Sequence, residues 1–138
     1  MPAIYYTPSC FLAAPHTAQF DGIRRLTRDV LDSYGVELVP PDEGYAPDNG
    51  SGYAIDGLKR ADMVIADVTG LNPNVLFELG IGFGLRKPLL IVSRSGQDLP
   101  SDISVLTVVF YKPEDTEKLE PFIRYWVKES MGQPVTTS

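Results

Sequence analysis

The sequence predicts an α/β protein, a three-layer sandwich in which helices cover both faces of a five-stranded parallel sheet. Short apolar segments typical of strands alternate with segments of helical spacing along the whole chain. Two of these strands, MVIA and LLIV, have no polar position, as expected when both faces are covered. The length of 138 residues suits one domain, which we expect over residues 1–131, followed by a flexible tail at residues 132–138.

Local patterns assign the first elements. Ala3–Tyr6 is short and apolar and is predicted to be the first strand, and Thr7–Thr17, which contains two prolines, the loop after it. Apolar residues recur with a helical period over Thr17–Tyr34, and Gly35 suits the residue that follows a helix. Val36–Val39 is the predicted second strand.

The alternation continues through the rest of the chain. Pro40–Gly52 is rich in Pro, Gly, Asp and Asn and is too long for a plain connector, which indicates a binding loop or a lid. The remaining predicted elements are a short helix Tyr53–Arg60, a strand Met63–Asp67, a helix Pro73–Arg86, strands Leu89–Ser93 and Val105–Tyr111, and a closing helix Pro113–Met131.

This succession predicts the strand order 2-1-3-4-5 of a flavodoxin-like, Rossmann-like sheet. In such sheets ligands bind beyond the carboxyl ends of the strands, where the order reverses. Here that place is the gap between the first and third strands. Its expected walls are the loops Thr7–Pro15 and Val68–Asn72.

Composition excludes several classes of function. The formal net charge of −6 disfavours a long nucleic acid as partner, since the only evident cationic cluster is that of Arg24, Arg25 and Arg28. One cysteine and one histidine give no disulfide and no structural zinc site of the usual kind, and a cytoplasmic location is expected. We expect no signal peptide, membrane span, metal or cofactor. The motifs of P-loop enzymes, classical dinucleotide dehydrogenases and α/β-hydrolases are absent.

Most of the chemistry is expected in residues 61–84, ADMVIADVTGLNPNVLFELGIGFG. Asn72 suits the N-cap and Pro73 the first position of a helix whose free N–H groups point toward the expected cleft. Glu78 falls in the second turn, on the same face as Asn74 and among apolar neighbours. Such a carboxylate is either solvated near the helix start or, if buried, paired or functional. From the residues alone both alternatives stay open.

Other polar residues also have two interpretations. Asp67 ends the third strand, where binding residues collect, and equally fits an Asx-type cap of the following turn. Asp56 lies on the short helix and is expected to face either the cleft or water. His16 lies in the first loop, where a single histidine is more often solvated than catalytic, and nothing marks Cys10 as a reactive thiol.

The stretch ADMVIADVTGLNPNVLFELGIGFGLRKPLLIV resembles the core of nucleoside 2-deoxyribosyltransferase-like proteins, including the 2′-deoxynucleoside 5′-phosphate N-hydrolases. It is also similar to bacterial TIR-like nucleotide-binding proteins that carry the pattern ADxxxxDxTxxNPNVxxELG. The resemblance implies a flavodoxin-like fold and a small-molecule nucleoside or nucleotide as substrate. It further implies that an N-glycosidic bond is cleaved or transferred, with Glu78 as the nucleophile at the anomeric carbon.

The resemblance also implies roles for other residues. Asn72 is expected at the 5′ end of the sugar or its phosphate, with Asn74 beside it, and Ser101 is expected to reach the site, partly across a dimer interface. The transferases carry an Asp where this chain has Ala54, so Asp56 is the candidate acid. The complete predicted site comprises the catalytic residues Glu78 and Asp56 and the substrate-binding residues Thr7, Asp67, Asn72, Asn74 and Ser101.

Three functions therefore remain open. The first is an enzyme that cleaves or transfers a nucleoside or nucleotide glycosidic bond. The second is a nucleotide-binding sensor without turnover, which the absence of an acid at Ala54 favours. The third is TIR-like cleavage of NAD with the same Glu. A homodimer or higher homo-oligomer is expected, because the helix Pro73–Arg86 is apolar and rich in glycine and because the resemblance implies it.

Overall fold

A computed structural model describes residues 6–40, 50–104 and 106–132. Within these ranges five parallel strands form one sheet in the order β2-β1-β3-β4-β5, which confirms the predicted fold class and strand order. The strands are β1 Ser9–Ala13, β2 Glu37–Leu38, β3 Met63–Asp67, β4 Leu89–Arg94 and β5 Val108–Tyr111. The α-helices are α1 Asp21–Ser33, α2 Gly50–Arg60, α3 Pro73–Gly84, α4 Ser101–Ser104 and α5 Glu120–Met131.

The first strand lies later in the chain than predicted. The expected strand Ala3–Tyr6 falls mostly outside the described residues, and Tyr6 itself is 70 % exposed and not part of the sheet. Strand β1 lies instead in the segment predicted to be a loop. It pairs in parallel with both β2 and β3, so its apolar side chains are covered by two neighbouring strands and by helices on both faces.

This shift changes which loop lies at the carboxyl end of β1. The two prolines that suggested a loop stand before and after the strand, where they remove no ladder hydrogen bond. The connection that leaves the carboxyl end comprises residues 14–17 and then a 3₁₀ turn, Ala18–Phe20, that leads into α1. The predicted wall Thr7–Pro15 is therefore wrong in its first part, since Thr7 precedes the strand.

The helices cover the sheet as two separate layers. Alternate side chains of β3 point to opposite faces: Met63 and Ile65 pack with residues of α1 and α5, whereas Val64 and Ala66 pack with residues of α2 and α3. The short helix α4 contributes Ile103 to the second layer. The carboxyl ends of β1 and β3 consequently open between the two layers, at the point where the strand order reverses.

Several predicted boundaries differ from the observed ones. The predicted closing helix Pro113–Met131 is a 3₁₀ segment, Pro113–Leu119, followed by α5, because Asp115 is not helical (φ −127°, ψ 36°) and a proline restarts the helix in its first turn. Gly35 has φ 69°, which confirms its predicted place after α1. Most of the predicted loop Pro40–Gly52, residue 105 and the predicted tail beyond residue 132 lie outside the described residues.

Helix α3 is apolar on two sides. Val75, Leu79 and Gly82 are buried against the sheet, and a Cβ at position 82 would lie 3.4 Å from a methyl carbon of Val64, so the helix packs closely here. Two large apolar side chains of the same helix, Phe77 (51 %) and Phe83 (60 %), are exposed. In the part of the chain that the structure describes, no helix is long and apolar enough to cross a bilayer.

Replacing Ile65 by alanine tests the packing of the α1 and α5 layer. Ile65 is fully buried in the middle of the sheet, and the cavity left by Ile65→Ala should lower the free energy of unfolding by about 2–5 kcal/mol. Met131→Ala is the control, because Met131 is 44 % exposed at the end of α5, and its effect should stay within about 0.5 kcal/mol. Urea denaturation measures both, and equal effects would contradict this packing.

Candidate active site

Two polar side chains fix the turn between β3 and α3. Asp67 is fully buried, and its Oδ1 accepts hydrogen bonds from the backbone N–H (3.0 Å) and the hydroxyl (2.6 Å) of Thr69. Asn72 Oδ1 accepts from the backbone N–H groups of Asn74 (2.8 Å) and Val75 (3.3 Å), which is the predicted N-cap. The amino end of α3 is thereby held at the carboxyl end of β3.

The second oxygen of Asp67 ties this turn to the edge of the sheet. Asp67 Oδ2 accepts a hydrogen bond of 2.5 Å from the phenol of Tyr111, at the end of β5. Burial, and then the hydrogen bond to Asp67, raise the pKa of Tyr111 above its ordinary value, while Arg94 acts in the opposite direction. Because both carboxylate oxygens are occupied inside the protein, the geometry supports the cap interpretation of Asp67. Direct contact between Asp67 and a substrate stays a prediction.

The first two turns of α3 bring the central candidates together. Glu78 is half-buried in the second turn, and Asn74, one turn earlier on the same face, is exposed. Asn72 caps the same helix, so the three residues form one group at the carboxyl end of β3. The positive end of the helix dipole faces this group.

The other predicted site residues lie on other elements of the fold. Asp56 is exposed on α2, and Ser101 is exposed at the start of α4, on helices of the same layer as α3. Thr7 precedes β1 and so lies at the amino end of the sheet, opposite to the carboxyl ends. Thr7 was predicted as a site residue because it would follow the carboxyl end of a first strand that ended at Tyr6. The observed strand begins after Thr7, so this reason no longer holds.

Arg24 of α1 holds the connection that leaves β1. Its Nη2 donates to the carbonyl oxygens of Ala14 (3.0 Å) and Pro15 (2.5 Å) and lies 3.4 Å from Nδ1 of His16. Burial lowers the pKa of the Arg24 guanidinium, and the charges of Asp21 and Asp67 oppose this shift. The sequence placed Arg24 only in a cationic cluster, because its partners lie outside its own helix.

Arg94, at the end of β4, joins the connections that follow β1 and β3. Its backbone N–H donates to Thr69 Oγ1 (2.8 Å), and its Nη2 donates to the carbonyl oxygen of Gln19 (2.5 Å). The guanidinium also lies over the ring of Phe20, 5.0 Å from its centroid. Sequence reasoning did not select Arg94. The only local sign was its position directly after an apolar strand.

A further bond joins the β3–α3 turn to the loop after β4. Gly70 has φ 76°, a conformation that favours glycine, and its N–H donates to Oε1 of Gln97 (2.8 Å). The connections beyond β1, β3 and β4 are thus bound to one another by side chains. They form a preorganised rim around the group on α3.

Comparison with solved structures finds similar folds. A CMP N-glycosidase from Clostridium botulinum matches with a TM-score of 0.66 at 21% identity, over 83% of this chain and 98% of that one. A 2-deoxyribosyltransferase from Bacillus psychrosaccharolyticus matches with a TM-score of 0.60 at 19% identity, over 81% and 90%. A TIR-STING receptor from C. gigas, in complex with 2′,3′-cGAMP, matches with a TM-score of 0.66 at 16% identity, over 96% of this chain and 42% of the receptor.

These likenesses establish the fold. Neither a protein-family model nor a curated protein sequence matches the chain. The chain has a nucleoside 2-deoxyribosyltransferase-like fold, as its motif predicts.

Removing the hydroxyl of Tyr111 tests the Asp67 network. In Tyr111→Phe the buried Oδ2 of Asp67 loses its donor, so the free energy of unfolding should fall by about 1–3 kcal/mol. Tyr125→Phe is the matched control, because Tyr125 is 68% exposed on α5, and it should change stability by less than about 0.5 kcal/mol. Thermal or urea denaturation gives both values. A Tyr111→Phe variant as stable as the wild type would contradict the network.

Proposed function

We propose that the protein cleaves or transfers the N-glycosidic bond of a nucleoside or nucleotide, with Glu78 as the nucleophile at the anomeric carbon. The observation that carries the proposal is the position of Glu78. It is half-buried in the second turn of a helix that starts, with a capped amino end, where the strand order of the sheet reverses. Structures with the same fold include a CMP N-glycosidase and a 2-deoxyribosyltransferase, which supports this class of reaction.

The environment of Glu78 suits this chemistry. The bond breaks through an oxocarbenium-like transition state, which a carboxylate stabilises or captures as a covalent glycosyl intermediate. The positive end of the α3 dipole attracts a phosphate at the 5′ end of the sugar. Water or a second nucleoside base then releases the sugar, which gives hydrolysis or transfer.

The neighbouring polar groups are proposed to position the sugar. Asn72 uses its amide oxygen for the cap, and its amide NH₂ group provides donors for a hydroxyl or phosphate oxygen. Asn74 is exposed one turn before Glu78. Ser101 and Asp56, on α4 and α2, are candidates for the remaining contacts, with Asp56 as a candidate acid.

A nucleotide sensor without turnover is the second candidate. Ala54, at the position where the transferases carry an acid, is partly buried against the core of the α2 and α3 layer and offers no proton. The TIR-STING receptor of similar fold holds a cyclic dinucleotide. TIR-like cleavage of NAD by the same Glu is the third alternative.

Free base released from a panel of nucleosides, their 5′-monophosphates and NAD tests these functions. We expect base release from at least one nucleoside or monophosphate, and Glu78→Gln should lower kcat by at least about 10³-fold. Glu129→Gln, at an exposed carboxylate on α5, is the control and should keep the wild-type rate. Release only from NAD would favour the TIR-like alternative.

Two other results would contradict the enzyme proposal. Undiminished release by Glu78→Gln would exclude Glu78 as nucleophile. An increase in Tm with a nucleotide, together with no release from any member of the panel, would identify the sensor, since a ligand that binds only the folded state raises Tm.

A homodimer through the outer side of α3 is part of the same proposal. Phe77 and Phe83 are more than half exposed there, beside Gly80 and Gly84. A groove of about 630 Å³ lies beside Phe83, and its lining is mixed, with apolar residues such as Leu89 and Leu106 and the cationic residues Arg86 and Lys87. An apolar surface of this kind typically marks an interface with another protein.

Light scattering at micromolar concentration tests the dimer. Phe83→Asp should shift the wild-type dimer to a monomer, because a charge would be buried without a partner at the interface. Phe122→Asp is the matched control, since Phe122 is 54% exposed on α5, in the opposite layer. A monomeric wild type, or equal effects of the two variants, would exclude this interface.

A further inference from the structure

We propose that His16 assists the departure of the base as a neutral hydrogen-bond donor whose orientation and tautomer are set by Arg24. This inference rests on the proposed function. It adds to the candidate acid Asp56 a second group that acts on the leaving base. It is supported by the contact between Arg24 and His16, by the place of His16 relative to Glu78, and by the chemistry of the leaving base.

The contact with Arg24 determines which imidazole nitrogen carries the proton. Arg24 Nη2 lies 3.4 Å from His16 Nδ1, and a guanidinium has only donors. Both N–H groups of this nitrogen donate to carbonyl oxygens, so its contact with His16 is electrostatic, and the nearby cation favours a lone pair over a proton on Nδ1. The proton of the neutral ring is then on Nε2, so His16 offers a donor on the side of the ring away from Arg24.

Three further hydrogen bonds hold the connection that carries His16. The same Arg24 nitrogen binds the carbonyl oxygens of Ala14 and Pro15, the two residues before His16. On the other side Arg94 holds the carbonyl oxygen of Gln19. The connection is thus fixed before and after His16, and the exposed imidazole stands at the carboxyl end of β1.

The topology places His16 across the cleft from Glu78. Ala13, the last residue of β1, pairs with Ala66 of β3, so the chain segments that carry His16 and the β3–α3 turn leave the sheet side by side. From His16 the chain continues to α1 on one face of the sheet, whereas Glu78 lies on α3 on the other face. A nucleophile and the groups that act on the leaving base flank the scissile bond from opposite sides. In this proposal, a base that departs from a sugar held at Glu78 leaves on the side of the sheet where His16 lies.

Cleavage of the glycosidic bond does not require proton transfer from the imidazole. The Glu78 carboxylate forms a bond to the anomeric carbon as the bond from that carbon to the base nitrogen breaks, and the electron pair passes to the base. Negative charge develops on a carbonyl oxygen or ring nitrogen of the base, and the Nε2–H of His16 stabilises it by a hydrogen bond. Solvent water protonates the base on release.

Substrates whose leaving bases differ in charge distinguish hydrogen-bond donation by His16 from a purely structural role. A neutral purine leaves with negative charge, whereas the same purine methylated at N7 leaves uncharged and needs no donor. His16→Ala should lower kcat about 10²-fold for the unmethylated substrate and leave the methylated one unaffected. His16→Gln, whose amide NH₂ reaches near the Nε2 position, should restore part of the loss. Gln19→Ala, an exposed polar side chain in the same connection, is the control and should match the wild type with both.

Nitrogen NMR of the imidazole gives an independent readout, because the chain has one histidine. At mildly alkaline pH the wild type should show a protonated Nε2 and an acceptor Nδ1 whose resonance changes in Arg24→Met. With a nucleotide bound to Glu78→Gln, the Nε2 resonance should shift. A protonated Nδ1 in the neutral wild type would overturn the proposal.

These experiments distinguish a failure of the proposed function from a failure of the inference about His16. No base release by the wild type would overturn the proposed function and, with it, a catalytic role for His16. Base release that depends on Glu78, but that His16→Ala leaves unchanged or lowers equally for both bases, would overturn this inference alone.

Discussion

The arrangement of the strand-end loops depends on the buried carboxylate of Asp67. No part of it is exposed, and it accepts three hydrogen bonds, two from Thr69 and one from Tyr111. Removing a carboxylate from water costs several kcal/mol unless its hydrogen bonds are replaced inside the protein. The turn after β3 must therefore bring the N–H and hydroxyl of Thr69 onto Asp67. This requirement fixes where α3 can begin.

The same network extends from Asp67 to the other loops of the rim. The hydroxyl of Thr69 donates to Asp67 and accepts from the backbone of Arg94, whose guanidinium holds the β1–α1 connection at Gln19. The side chains of Asp67, Thr69 and Arg94 thereby fix the start of α3 relative to the connection after β1. We propose that this preorganisation holds the glycosidic bond of the substrate between Glu78 and the β1–α1 connection.

What the sequence could predict follows from the range of the interactions. Strand β3, the cap of α3 and the place of Glu78 depend on neighbours in the chain, and they were predicted. The segments AIYY and SCFLA are both short and apolar, and only pairing with β2 and β3 distinguishes them, so the first strand was misplaced. Arg94 and Tyr111 act on partners 75 and 44 residues away, which no local pattern reveals.

The central claim is that Glu78 attacks the anomeric carbon, and covalent trapping tests it most directly. A nucleoside analogue with fluorine at the 2′ carbon destabilises the oxocarbenium-like transition state, which slows hydrolysis of a glycosyl intermediate and lets it accumulate. Mass spectrometry of the protein incubated with such an analogue should show one added sugar, on the peptide that contains Glu78. Release of base without an adduct, or an adduct on another residue, would contradict the account.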